Sequence, residues 1–334
     1  MKISQKMIAE LSGVSRGTVD RVLHGKPNVN PETRKKVLEA IKKLDYSPNM
    51  VGRALAFSGR CFSICAVLPD NSFFAEVKAG IVSAVKELND YNLSISFIYT
   101  NAKSVSELIS ELEKVTVNAF MLAVSDTPEI REWINCKSDA GVPVITFNTD
   151  VKDCGRLCFV GQDLYKSGRI AASLMLKMLY KSRSDILVVT GSNGYLAHRE
   201  RVKGFTDVIN TCKSARIVDV IETNDDAELM HRLIPNALKR YRETDGIYVA
   251  AGDTQAFAQI IKNSEKKYRI VINDLFSESK EQLKSGGFDF TILQEPFVQG
   301  YKTVKLLFNC LFCNQYPEKE YYYTNNTVIT GEML

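Results

Sequence analysis

Residues 4–23 read SQKMIAELSGVSRGTVDRVL, and they divide at Gly13 into two short amphipathic runs. Ser4 is expected to cap a first helix that turns Ile8 and Leu11 to one side. Gly13 ends it in the left-handed conformation that a residue without Cβ adopts at little cost. Ser15 then caps a second helix with Val19, Val22 and Leu23 inward. Two short helices joined by Gly13-Val14-Ser15 make a helix-turn-helix. Arg16, Gly17, Asp20 and Arg21 are left on or near its outward face, where two guanidinium groups can bond guanine edges or phosphates. A third helix opens at Asn30-Pro31-Glu32-Thr33, with Asn30 as cap and Pro31 in the first turn, and buries Val37, Leu38, Ile41 and Leu44. Periodicity alone leaves open a three-helix bundle that merely docks a partner.

Charge narrows the choice. Residues 1–60 hold twelve Lys and Arg against five Asp and Glu, so this segment carries +7 of a chain whose total is +4, and the remainder is −3. A positive field confined to one small segment suits a phosphate-binding module better than a general polyanion binder. With 334 residues, 45% hydrophobic and 25% charged, the chain is too long for one compact core and too apolar for disorder, so several folded units are expected. No apolar leader follows Met1 and no run of about 18 apolar residues occurs, so a cytoplasmic location without a membrane span is expected. The eight cysteines are accordingly read as free, buried thiols. Cys61 with Cys65, Cys154 with Cys158 and Cys310 with Cys313 look paired by spacing, but nothing beside them completes a tetrahedral site, so no metal is expected.

Beyond residue 60, apolar β-branched runs at 62–68, 93–99, 119–124, 143–147, 186–190, 216–221, 246–251 and 268–272 alternate with amphipathic stretches such as 74–88, 165–179 and 227–240. Strand-helix alternation of this kind implies parallel sheets covered by helices on both faces, and ~270 residues suffice for two of them. Ligands of such sheets sit at the carboxyl ends of the strands. The loops there carry Asn71, Phe73, Phe74, Asn148, Asp274 and Gln294, and a helix start carries Arg199 and Arg201. No phosphate-binding glycine loop, HExxH or Gly-x-Ser-x-Gly is present, so neither an enzyme nor a cofactor is expected. Each candidate also has a structural reading: Phe73 and Phe74 can pack, Arg199 and Arg201 can pair with Glu200 or Asp207, and Asp163 and Asp274 can cap.

Residues 3–58 resemble the N-terminal signature of the lac-repressor family, most clearly at Ala9, Gly13-Val14-Ser15, Thr18-Val19, Arg21-Val22, Val29, Thr33-Arg34, Val37, Tyr46-Ser47-Pro48-Asn49 and Leu55-Ala56. The resemblance implies contacts to operator DNA from Ser15, Arg16, Gly17, Thr18, Arg21, Asn28, Tyr46, Asn49 and Leu55. It also implies a hinge helix after Pro48 and a Leu55 that wedges, paired with its copy in a second subunit, into the minor groove. Gly17 departs from the family by offering no side chain to a base, Gly52 weakens the hinge helix, and Asp20 stands where a small polar residue is usual.

The rest of the chain is similar to periplasmic sugar-binding proteins of the ribose-binding type, through Asn71-x-Phe73-Phe74, the run Arg199 to Phe205, Asn273-Asp274 and Gln294-x-Pro296. That likeness implies aromatic stacking on a sugar by Phe73 and Phe74 and hydrogen bonds from Asn71, Asn148, Arg199, Arg201, Asp274 and Gln294. Asn148-Thr149 replaces an Asp-Arg pair, Gly252 replaces a polar residue and Asn224 an aromatic one, so ribose itself is not expected.

The expected architecture is therefore an all-α helix-turn-helix domain (1–48), a hinge helix and linker (49–60) and an α/β two-lobed effector domain (61–334). Its first lobe spans 61–162 and 293–322, its second 163–292 and 323–334. The expected function is a homodimeric transcription regulator on a near-palindromic operator, most simply a repressor, gated by a sugar or polyol. A purine-like corepressor and a solute receptor without DNA remain as alternatives.

Overall fold

The computed structural model describes residues 5–23, 29–44, 61–101, 103–251 and 254–334. Ser4, Asn28, Tyr46, Asn49, Gly52, Leu55 and Gly252 lie outside them.

Three helices form the N-terminal unit: α1 (Gln5–Ser12), α2 (Arg16–Leu23) and α3 (Pro31–Lys43). Gly13 has φ +66°, and Val14 N–H closes back on Ala9 O at 3.1 Å, which ends α1 and sets the turn. The Ser15 hydroxyl accepts from Thr18 N–H at 3.1 Å, and Asn30 Oδ1 accepts from Glu32 N–H at 2.9 Å, so both expected caps form. Ile8, Ala9, Val19, Val22, Val37 and Ala40 make the core of this unit. Two expectations fail: Leu11 is 46% exposed and Leu38 51%. Each residue advances the helix by about 100°. The inward face of α1 centres between Ile8, Ala9 and Ser12, and that of α3 between Val37, Ala40 and Ile41, so Leu11 and Leu38 are rotated off those faces.

Residues 61 onward build two six-stranded sheets. The first is wholly parallel, in the order β11-β5-β4-β3-β1-β2, from β1 (Phe62–Leu68), β2 (Leu93–Tyr99), β3 (Ala119–Leu122), β4 (Val144–Phe147), β5 (Phe159–Gln162) and β11 (Tyr321–Thr324). The second runs β12-β10-β9-β8-β6-β7, from β6 (Ser184–Thr190), β7 (Ala215–Glu222), β8 (Thr244–Val249), β9 (Arg269–Asn273), β10 (Phe290–Leu293) and an antiparallel β12 (Thr327–Ile329). All eight apolar runs are strands. The four strands outside those runs are only three or four residues long. Helices cover each sheet: α4 (Ser72–Glu87), α5 (Val105–Leu112), α6 (Pro128–Asp139), α7 (Leu164–Met178), α8 (Leu196–Ile209), α9 (Ala227–Arg240), α10 (Gln255–Lys262), α11 (Ser277–Lys284) and α12 (Pro296–Phe308).

The chain crosses between the lobes after Gln162, after Leu293 and after Thr324. Two expected boundaries move: Leu293 ends a strand of the second sheet, and Tyr323 and Thr324 belong to the first. Both sheets are buried on two faces by apolar clusters, which is what fixes the strand ends that face each other. Of the cysteines, all free, Cys65, Cys158, Cys310 and Cys313 are buried, and burial pushes the Cys158 and Cys310 thiols up to about 12. Cys61 and Cys136 are exposed, against expectation, because both stand outside the apolar periodicity of their segments.

Candidate functional site

Between the carboxyl ends of the two sheets lies a cavity of about 350 Å³. Its first-lobe wall starts at Asn71, whose Oδ1 accepts from Phe74 N–H at 3.1 Å and so caps α4. That cap turns Phe73, half-buried, toward the cavity. Phe74 is 7% exposed and meets Phe73 edge-on at 5.2 Å and Phe147 at 6.4 Å, so it both lines the cavity and belongs to the core.

The floor is a chain of buried polar groups spanning the lobes. Asn148, directly after β4, has φ +62°, and Asp274, directly after β9, has φ +64°. Asn and Asp tolerate this left-handed backbone better than other side-chain-bearing residues, and such strain concentrates at functional positions. Asn148 Nδ2 donates to Gln294 Oε1 at 3.2 Å and to Gln299 Oε1 at 3.3 Å. Gln294 Nε2 donates in turn to Asp274 Oδ2 at 2.7 Å. Arg201 Nη2 donates to Gln162 Oε1 at 2.8 Å and stands 3.9 Å from Asp274 Oδ2. Burial pushes the Asp274 carboxyl above the ordinary carboxylate range, while Arg201 and the Gln294 hydrogen bond pull it down. Among the described residues, Arg201 Nε is buried without a hydrogen-bond partner.

Arg201 is held in place by close helix packing. A Cβ on Gly168 of α7 would lie 1.9 Å from Arg201 O, and one on Gly204 of α8 would lie 2.1 Å from Tyr165 O. Only glycines let the two backbones approach this far. Behind them Phe205 stacks on Tyr248 at 4.4 Å, and Tyr248 donates to Asn273 Oδ1 at 2.8 Å.

Seven of the eight expected ligand residues line the cavity: Asn71, Phe73, Phe74, Asn148, Arg201, Asp274 and Gln294. Arg199 does not. Two residues before Arg201 on the helix, it points away from the floor, and its Nη2 binds Asp126 Oδ2 of the other lobe at 2.7 Å. Asp126 also pairs with Arg131 at 2.7 Å, and its N–H donates to Gly194 O at 3.0 Å. Lys152 with Glu200 at 3.2 Å and Ala197 N–H with Thr149 Oγ1 at 3.2 Å add further bonds across the lobes. Asp163 caps α7 through Lys166 N–H at 3.0 Å.

Sequence reasoning missed His198, Asp225, Tyr195 and Phe276, which also line the cavity. His198 Nε2 lies 3.2 Å from Asp225 Oδ2, and its Nδ1 lies 3.0 Å from Ala250 O. The signal available was spacing, since His198 precedes Arg201 by three and shares its helix face. In the N-terminal unit, Ser15, Arg16, Gly17 and Arg21 are exposed and Thr18 is half-buried, with its hydroxyl 2.9 Å from that of Ser15.

Residues 62–312 match the family described as periplasmic binding protein domain, and residues 6–49 match bacterial regulatory proteins of the lacI family. The chain belongs to the periplasmic-binding-protein family and carries a lacI-family domain at its N-terminal side. Catabolite control protein A of Staphylococcus aureus strain MRSA252 is 30% identical over 206 residues, 61% of this chain and 60% of that protein. The Staphylococcus xylosus protein of the same name is 29% identical over 239 residues, 71% of this chain and 66% of that one. The chain thus spans about 60% of the length of the Staphylococcus aureus relatives it matches.

Among solved structures, the chain shares its fold with the glucose-galactose binding protein GanP of Geobacillus stearothermophilus (TM-score 0.73, 24% identity, 82% of this chain and 99% of that one). A putative LacI transcriptional regulator from Bacteroides fragilis also shares the fold (TM-score 0.72, 19% identity, 82% and 98%). Among the described residues, no helix is long and apolar enough to cross a membrane.

Proposed function

We propose that this chain is a DNA-binding transcription regulator whose operator affinity is set by a small polyhydroxylated effector in the interlobe cavity. The observation that carries the reading is the polar floor beneath an aromatic wall. Asn148, Gln294, Asp274 and Arg201 present donors and acceptors together, the mixture that sugar hydroxyls require. Stacking on Phe73 supplies the apolar half of the recognition. The exposed Arg16 and Arg21 of α2 are the base-reading side chains, with Ser15 and Thr18 beside them at the helix start. The regulator acts as a homodimer on a near-palindromic site, because one helix-turn-helix makes too few contacts for selective binding.

The effector holds the lobes together, and its release lets the Asp126–Arg199 pair part, which shifts the geometry passed to the DNA-binding unit. The test uses the full chain against sheared genomic DNA and a sugar panel. Arg16→Ala combined with Arg21→Ala is expected to abolish enrichment of near-palindromic fragments while a sugar still raises the thermal midpoint, by about 2.7 kcal/mol of stability at 100 times its Kd. Enrichment that survives the double substitution, or a midpoint that only purines raise, would overturn the corresponding half of the proposal.

A further inference from the structure

The cleft does not end at Phe73. A second cavity of about 620 Å³ adjoins the first, and Ser72, Phe73, Asp274, Phe276 and Gln294 border both. Phe73 belongs to α4 in the first lobe and Phe276 to the loop before α11 in the second, and both rings are half-buried. The two cavities therefore meet at a waist where Phe73 and Phe276, aromatic residues of opposite lobes, stand beside the polar Ser72, Asp274 and Gln294. Beyond it, Glu76 lies one helical turn past Phe73 and Lys280 one turn past Phe276, and both border the second cavity. A carboxylate and an ammonium so placed offer an acceptor and a donor to hydroxyl groups.

Pockets that bury most of a small ligand measure about 300–1,000 Å³. The first cavity sits at the bottom of that range, and with the second added the space approaches its top. The order of environments, polar floor, aromatic waist, polar far end, also has a chemical counterpart. Two sugar rings present hydroxyls at either end of a glycosidic oxygen, which carries no proton and suffers least against aromatic carbon. A single free sugar would instead set a hydroxyl against the waist and leave the far end to water.

We infer that the effector is a saccharide of at least two linked rings. One ring rests on the floor formed by Asn148, Arg201, Asp274 and Gln294, and the next passes between Phe73 and Phe276 to Glu76 and Lys280. This rests on the reading of the first cavity as a sugar site.

Calorimetric titration of the full chain with glucose, galactose, arabinose and xylose, and with maltose, cellobiose, lactose, melibiose, arabinobiose and xylobiose, tests it. At least one disaccharide binds ten-fold or more tightly than each of its constituent sugars. Lys280→Ala and Glu76→Gln, both at exposed positions, erase that gain, and Lys280→Ala leaves binding of the single sugars unchanged. A single sugar that binds as tightly as the disaccharides containing it, or a gain indifferent to both substitutions, overturns the second subsite and leaves the sugar reading standing. Absence of binding by every saccharide removes the sugar reading and this inference together.

Discussion

Asp274 keeps a carboxyl group only 4% exposed, where desolvation outweighs the pull of the nearby guanidinium. A carboxyl raised in the native state holds its proton more tightly there than in the unfolded chain. Its contribution to stability is full below the unfolded value and is lost as pH rises through the native one. Stability of the unliganded protein, measured against Asp274→Asn, should therefore decline in relative terms as pH rises from about 4 toward neutrality. A difference that stays flat over that window would show that the ionised form is fully compensated. At this scale the sequence was legible only collectively. Asn148, Asp274 and Gln294 each have ordinary capping or loop explanations, and their common register with a family singled them out. His198 and Asp225 gave no such signal, because a lone His on a helix and an Asn-Asp turn are commonplace until a fold brings them within 3.2 Å.

The pairing of α7 with α8 carries the same lesson at the level of elements. Alternating apolar runs announced the strands and helices, but nothing in them announces that two helices cross with backbone against backbone. That contact depends on Gly168 and Gly204, and it fixes where Arg201 can reach. Replacing a helical glycine by alanine gains about 1 kcal/mol of helix propensity when the site has room. Here the added methyl meets a backbone carbonyl, so Gly204→Ala should instead destabilise by about 1–3 kcal/mol, seen as a lower denaturant midpoint, and should also weaken effector binding. A raised midpoint would mean that the helices can part without cost. The misplacement of Leu11 and Leu38 has the opposite origin. Apolar type alone points a leucine inward, whereas the three-helix unit is too small to bury every leucine it carries.

For the whole molecule, two lobes and their covering helices followed from the alternation of elements. The way the lobes touch did not, because it depends on pairs such as Asp126 and Arg199 that stand 73 residues apart. Asp126 keeps Arg131 as a partner when Arg199 is lost, so Arg199→Ala removes a contact of the closed state without stranding a buried charge. The expected outcome is an effector affinity weaker by up to about five-fold at low salt, with the difference shrinking as salt rises, because roughly 0.2–1 kcal/mol is at stake in a part-exposed pair. Titrations at low and high salt decide it, and an unchanged affinity in both would remove the pair from the closing equilibrium.

The last two strands have a consequence for how the protein comes into being. β11 pairs with β5 and β12 with β10, so each sheet is completed by residues read between 321 and 329. The three N-terminal helices, by contrast, have all their core partners by residue 44. A chain that ends at residue 300 thus carries a complete three-helix unit tethered to two sheets whose flanks, β5 and β10, are open. Unpaired strand edges template association between chains. Messages truncated before Tyr321 should yield insoluble product, and a soluble fragment ending at residue 315 in a fractionated lysate would contradict this.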